Sequence, residues 1–151
     1  MVHNPAMDHY TRKNFVHTQS IGFTLARARN LLASEIDAAL KDLDISSQQM
    51  GIVVSLSKGT ASTPFELSRL LGIDTGLMTR MLDKLEEKGL LERSRDDKDR
   101  RVVNLTLTRT GNRVAEAIPD IVTPVLNTHL KSFTRAEFEE LKRLLAKFIG
   151  E

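Results

Sequence analysis

The sequence predicts a mainly α-helical fold that carries one small β-hairpin. Three observations predict it. Apolar residues recur at three- and four-residue steps over most of the chain, hydroxyl and aspartate caps stand ahead of those stretches, and the period switches to two just after Gly89. At 151 residues, with 40% hydrophobic and 28% charged residues, the chain has the length and composition of one ordinary globular domain.

The first helix is expected over 14–41, because Ile21, Leu25, Ala28, Leu32, Ile36 and Leu40 form one apolar stripe. A second follows Ser46, whose hydroxyl and Gln49 form a capping box, and it ends near Gly59. Thr63-Pro64-Phe65-Glu66 is a stronger start, with an N-cap threonine, proline at the first helical position and glutamate at the third; that short helix reaches Leu71. Gly72 permits a tight turn, Ile73 plugs the core, and Asp74 caps a fourth helix through Lys88. Two helices joined by a short glycine-containing turn make a helix-turn-helix candidate.

Beyond Gly89, Leu91, Arg93 and Arg95 lead into a hairpin whose return strand alternates Val103, Leu105 and Leu107 with Val102, Asn104 and Thr106. Helical spacing resumes at Thr108, where Pro119 and Pro124 predict a bent or broken helix. Thr134 and Glu137 cap the last one, which runs to about Ile149. The predicted order is therefore helix, helix, helix, helix, hairpin, helix, helix, within a single domain spanning 1–151.

With 22 Lys and Arg against 20 Asp and Glu, the net charge of +2 steers nucleic acid weakly, so a DNA signal has to be local. There is no cysteine, which excludes disulfides, thiolate metal sites and thiol redox sensing. His3, His9, His17 and His129 lack the paired spacing of a metal site. No cofactor is expected. The opening residues do not read as a secretory signal, and no apolar run reaches the roughly 18 residues of a membrane span. A cytoplasmic protein without a membrane partner is expected.

The fourth helix separates its faces. Met78, Met81, Leu82 and Leu85 point inward, whereas Thr75, Gly76, Thr79, Arg80, Asp83 and Lys84 point away. Small residues at a helix start let free amides approach a phosphate, a task that suits Thr75 and Gly76. Arg80, one turn deeper, suits a bidentate contact to guanine in the major groove. The hairpin tip gathers Arg93, Arg95, Lys98, Arg100 and Arg101 among Asp96, Asp97 and Asp99; Asp99 suits the orientation of a neighbouring arginine, leaving Arg100 or Arg101 to enter a minor groove.

Leu67-Ser68-Arg69-Leu70-Leu71-Gly72-Ile73, the run from Thr79 to Leu90, and Asp97-Lys98-Asp99-Arg100-Arg101 ahead of Leu105-Thr106-Leu107-Thr108 resemble the multiple antibiotic resistance regulator (MarR) family of winged helix-turn-helix transcription regulators. The resemblance is close over 45–111, and the flanking helices agree in order and length. It implies a winged helix-turn-helix lobe over 45–111 and a homodimer whose terminal helices, 14–41 and 112–150, intertwine and whose lobes meet adjacent major grooves of a palindromic operator. It also implies that Asp99 braces the wing in an ion pair while Arg100 or Arg101 contacts the minor groove. Gly76 and Leu77 depart from the family's usual small hydroxyl residues or proline, so Leu77 either touches a thymine methyl or packs.

The resemblance further implies a repressor modulated by a small aromatic or phenolic ligand bound between the dimer helices and the DNA-binding lobe. His17, Ile21, Arg27, Met50, Val54 and Arg113 are the candidate lining residues. Apolar Val122, Val125, Leu126, Leu130, Leu141, Leu144, Leu145, Phe148 and Ile149 exceed what one small winged domain needs, which independently favours a dimer. Glycine-rich phosphate loops, HExxH and nucleophile elbows are missing, so no catalytic residue is assigned. The alternatives are a winged-helix protein-interaction module without DNA binding and a DNA-binding regulator that needs no ligand.

Overall fold

Each long helix begins where a side chain can accept one of its free amide protons. Ser20 accepts from Phe23 N at the head of α1 (Ile21–Ala39), and Ser46 forms a capping box with Gln49 at the head of α2 (Ser47–Lys58). Thr63 and Glu66 form a second box for α3 (Pro64–Leu71), and Asp74 Oδ1 accepts from Leu77 N at 2.9 Å to start α4 (Thr75–Glu87). Thr108 caps α5 (Arg109–Leu130), and a third box joins Thr134 to Glu137 ahead of α6 (Arg135–Ile149). Between α4 and α5 lie β1 (Leu91–Arg95) and β2 (Val103–Leu107), so the element order is the one the sequence predicts. These positions come from a computed structural model that describes residues 7–151; His3 lies outside them.

The core sits inside the lobe. Leu40, Ile52, Val53, Leu67, Met78, Leu82, Leu85 and Leu91 are its fully buried side chains, joined by Ile36 of α1 and by Val114, Ala115, Ile118 and Val122 of α5. At roughly 1.5–3 kcal/mol for each fully buried large apolar side chain, this cluster is what holds the short α3 and α4 in place. The strands pair antiparallel with Leu91 opposite Leu107, Arg93 opposite Leu105 and Arg95 opposite Val103. Leu105 N also donates to Ser62 O at 2.8 Å, which ties the return strand to the residues entering α3.

Two expectations change. The first helix starts at Ile21 and not at Asn14, because Asn14 closes a polar turn with Thr11, while the Tyr10 hydroxyl accepts from Ile21 N at 2.9 Å. Its far end stops at Ala39, and Lys41–Leu43 forms a single 3-10 turn closed by Asp44 in the left-handed region. Of the bend or break expected in α5, the break does not occur: one helix runs through Pro119 and Pro124. An interior proline costs about 3 kcal/mol, but both prolines stand exposed while Val114, Ala115, Ile118 and Val122 bury the other face. That burial offsets the lost donors.

Packing thins toward the far end of the chain. α6 has no buried residue, and Leu141, Leu144, Leu145, Phe148 and Ile149 are exposed. Ile21 and Leu31 on α1 are half or more exposed as well. No described helix is long and apolar enough to cross a membrane, and among the described residues no three His, Asp or Glu side chains gather as metal ligands would.

Candidate nucleic-acid interface

The core fixes which face of α4 is outward. Met78, Met81, Leu82 and Leu85 are buried, and Thr75, Gly76, Thr79, Arg80, Asp83 and Lys84 are exposed, as their spacing predicts. Leu77 is half-buried and packs against the core, with part of its side chain still at the surface. A Cβ added at Gly76 would lie 3.3 Å from Asp74 Oδ1 and 3.7 Å from Arg80 Nη1, so the Arg80 guanidinium rests beside the bare first turn. The Thr79 hydroxyl donates to Thr75 O at 2.8 Å. Arg80 and Lys84 take part in no ion pair among the described residues. Both charges are therefore available to a polyanion.

The hairpin tip is built by a residue that was not singled out from the sequence. Asp96 Oδ1 accepts from Lys98 N at 2.8 Å and from Asp99 N at 3.0 Å, while its Oδ2 accepts from Asn104 Nδ2 at 3.2 Å. These bonds, that of Asp99 first, hold the Asp96 carboxyl below its ordinary pKa. An aspartate two and three residues ahead of a charged turn is the sequence signal that would have found it. Asp99 plays a lesser part: its Oδ1 accepts from Arg101 N at 3.1 Å and lies 3.5 Å from Arg101 Nε, in a pair whose arginine side chain is 94% exposed. Arg95 Nη1 donates to Arg100 O at 3.1 Å and so supports the tip from below. Lys98 and Arg100 are exposed and join no ion pair among the described residues.

The six candidate ligand residues are dispersed. His17 lies edge-on to Phe23 with centroids 5.0 Å apart, and Arg27 stands 5.9 Å over the same ring. Ile21 is exposed nearby, Met50 and Val54 are half-buried against the core, and Arg113 is exposed on α5. None of the six lines the groove of about 830 Å³ between α1, α2 and the turn into α4, whose walls include Leu32, Ile36, Leu71, Ile73 and Arg29. None lines the second groove of about 580 Å³, which borders Arg80, Lys84 and Lys88.

A capped helix with free cations beside a braced cationic hairpin is a surface for duplex phosphate, and comparison with known proteins agrees. The model of the MarR family matches residues 45–103. The multiple antibiotic resistance protein MarR of Escherichia coli is 36% identical over 111 residues, covering 73% of this chain and 77% of that protein. The transcriptional repressor IacR of Pseudomonas putida is 22% identical over 143 residues, covering 95% and 83%. Among solved structures, a cysteine-to-serine variant of E. coli MarR in complex with operator DNA superposes with a TM-score of 0.77 at 30% identity, covering 84% of this chain and 91% of that one.

Proposed function

This chain belongs to the MarR family, and from that premise we propose that it is a transcription regulator, a repressor, that binds duplex DNA sequence-specifically as a homodimer. The observation that carries the reading is the outward face of α4, where Arg80 and Lys84 join no ion pair among the described residues, on a helix tied to β1 of the hairpin through Arg93. Thr75, Gly76 and Thr79 approach the phosphate backbone, Arg80 reads a base edge, and Arg95, Lys98, Asp99, Arg100 and Arg101 form the wing. Two lobes related by a two-fold axis fit a palindromic operator with half-sites about 34–36 Å apart. The lobe over 45–111 binds DNA; 14–41 with 112–150 supply the dimer. Its place of action is the cytoplasm, and no cofactor or catalytic set is assigned.

The exposed leucines and phenylalanine of α6 and the outer half of α1 support the dimer, since a second copy would remove that surface from water. The groove of about 830 Å³ supports modulation by a small aromatic molecule, because apolar Leu32, Ile36, Leu71 and Ile73 wall it beside a few charged groups, Arg29, Asp37 and Asp74. We assign the ligand there in place of the six residues expected from the resemblance.

Selection of bound fragments from the source genome tests the reading. A shared palindromic sequence is the expected outcome, with affinity that falls linearly in the logarithm of salt concentration. Recovery of fragments without a common motif, at affinities indifferent to salt, would overturn it. A thermal shift by aromatic acids that disappears in Arg29→Ala tests the ligand assignment.

A further inference from the structure

Arg93 is the residue of the lobe whose charge is most fully engaged. It projects from β1 opposite the buried Leu105, on the strand face that carries Leu91 into the core. Its Nη2 donates to Asp83 Oδ1 at 2.8 Å and its Nη1 to Glu86 Oε2 at 2.6 Å, so one guanidinium fork spans two carboxylates placed three residues apart on α4. The Arg93 side chain is 26% exposed, against 52% for Asp83 and 42% for Glu86.

The helical wheel gives this clamp its meaning. At 100° per residue, Asp83 falls in the middle of the outward face, flanked by Gly76, Thr79 and Arg80, and Glu86 falls on the edge nearest the hairpin. An aspartate three residues from Arg80 is well placed to pair with it, yet the carboxylate turns to Arg93 instead, and Arg80 and Lys84 remain unpaired. Without Arg93, the charges of Asp83 and Glu86 would add to that of the exposed Glu87 on the face that meets the duplex beside the base-reading arginine. Like charge brought against phosphate is repulsive, and less so as salt rises.

We infer that Arg93 is a positioning residue for DNA recognition: without touching the duplex, it neutralises Asp83 and Glu86 on the recognition helix and thereby leaves Arg80 free for bases. The inference rests on the DNA-binding reading above.

A mutant cycle on the full-length chain tests it, using a labelled duplex that carries the sequence selected from the genome. In the unaltered background Arg93→Met should weaken binding about tenfold or more at low salt, and the loss should shrink as salt is added. In an Asp83→Asn, Glu86→Gln background the same change should cost less than about twofold, and that background should itself bind at least as tightly as the unaltered chain. An equal loss in both backgrounds means that Arg93 contacts DNA directly, and overturns the inference. So does weak binding by Asp83→Asn, Glu86→Gln alone, which would make the clamp a mechanical brace. If Arg93→Met fails to fold, by circular dichroism, the triple variant decides: binding no weaker than that of the unaltered chain supports the masking role, and loss of binding overturns it. Failure of the unaltered chain to bind any duplex would sink the DNA-binding reading and this inference together, whereas normal binding without coupling sinks only the latter.

Discussion

At the scale of single residues, close approach sets the tightest constraints. A Cβ at Gly111 would stand 1.9 Å from the carbonyl oxygen of Leu90, backbone that cannot yield as a flexible side chain would. The same strand entrance is held by Thr108, whose amide donates to Leu90 O at 3.1 Å and whose hydroxyl donates to Gly89 O. Gly111→Ala should therefore destabilise the chain by about 3 kcal/mol, at the upper end of overpacking costs, measured by denaturant unfolding; a loss below about 1 kcal/mol would show that α5 can shift away from the hairpin. Arg80 and Arg101 should separate in their effects. Arg80→Ala is expected to relax preference at one base position, at about 1–3 kcal/mol of discrimination, while Arg101→Ala weakens all sequences and reduces the salt slope by about 1. Uniform weakening by both changes in binding to an operator library would remove the base-reading role from Arg80.

At the scale of elements, the hairpin tip is a small folded unit organised around one carboxylate. Asp96 takes two backbone amides and one side-chain amide, and its pKa in the fold lies below its ordinary value, with the Asp99 amide the largest cause. A group depressed by folding contributes stability above its unfolded pKa, and loses it as pH falls through the folded one. The tip should thus keep its geometry through mildly acidic solution and loosen only below the usual aspartate range. Amide shifts of Lys98 and Asp99 followed by NMR during an acid titration should report that depressed transition, and titration at the ordinary value would contradict it. Glu66, depressed chiefly by the Ser62 amide, should hold the start of α3 through the same acidic range. Caps, glycine turns and the change of period made these elements legible along the chain. The clamp from Arg93 was not, although an arginine at an inward position of an alternating strand signals that some carboxylate must meet it.

At the scale of the whole molecule, the contrast is between α1 and α5, which share the core, and α6, which buries none of its residues. Leu144 is 47% exposed and Leu145 41% exposed on α6, a helix that contributes nothing to the core. If a second copy covers them, a leucine there is worth about 1.5–3 kcal/mol, so Leu144→Asp should raise the dimer dissociation constant by about ten- to a hundredfold or more. Sedimentation equilibrium would measure it, with DNA affinity falling in parallel; an unchanged dimer would place the subunit contact elsewhere. Within a single copy α5 and α1 share the apolar cluster of Ile36, Ile118 and Val122, and His129 Nε2 meets Glu35 Oε2 at 2.5 Å between the same two helices.

The sequence by itself determined the order of elements, the inward and outward faces of α4 and the charged character of the tip, because periods and caps act within one or two turns of chain. Only the tertiary structure decided how far α1 extends, why α5 survives its prolines, and which cations are spent on internal partners. Those outcomes depend on residues distant in sequence: Arg93 reaches back to Asp83, Lys88 to Asp44, and the face of α5 to a core assembled from α1, α2 and the lobe. Local spacing carries no record of such meetings, since they exist only once apolar burial has brought the elements together.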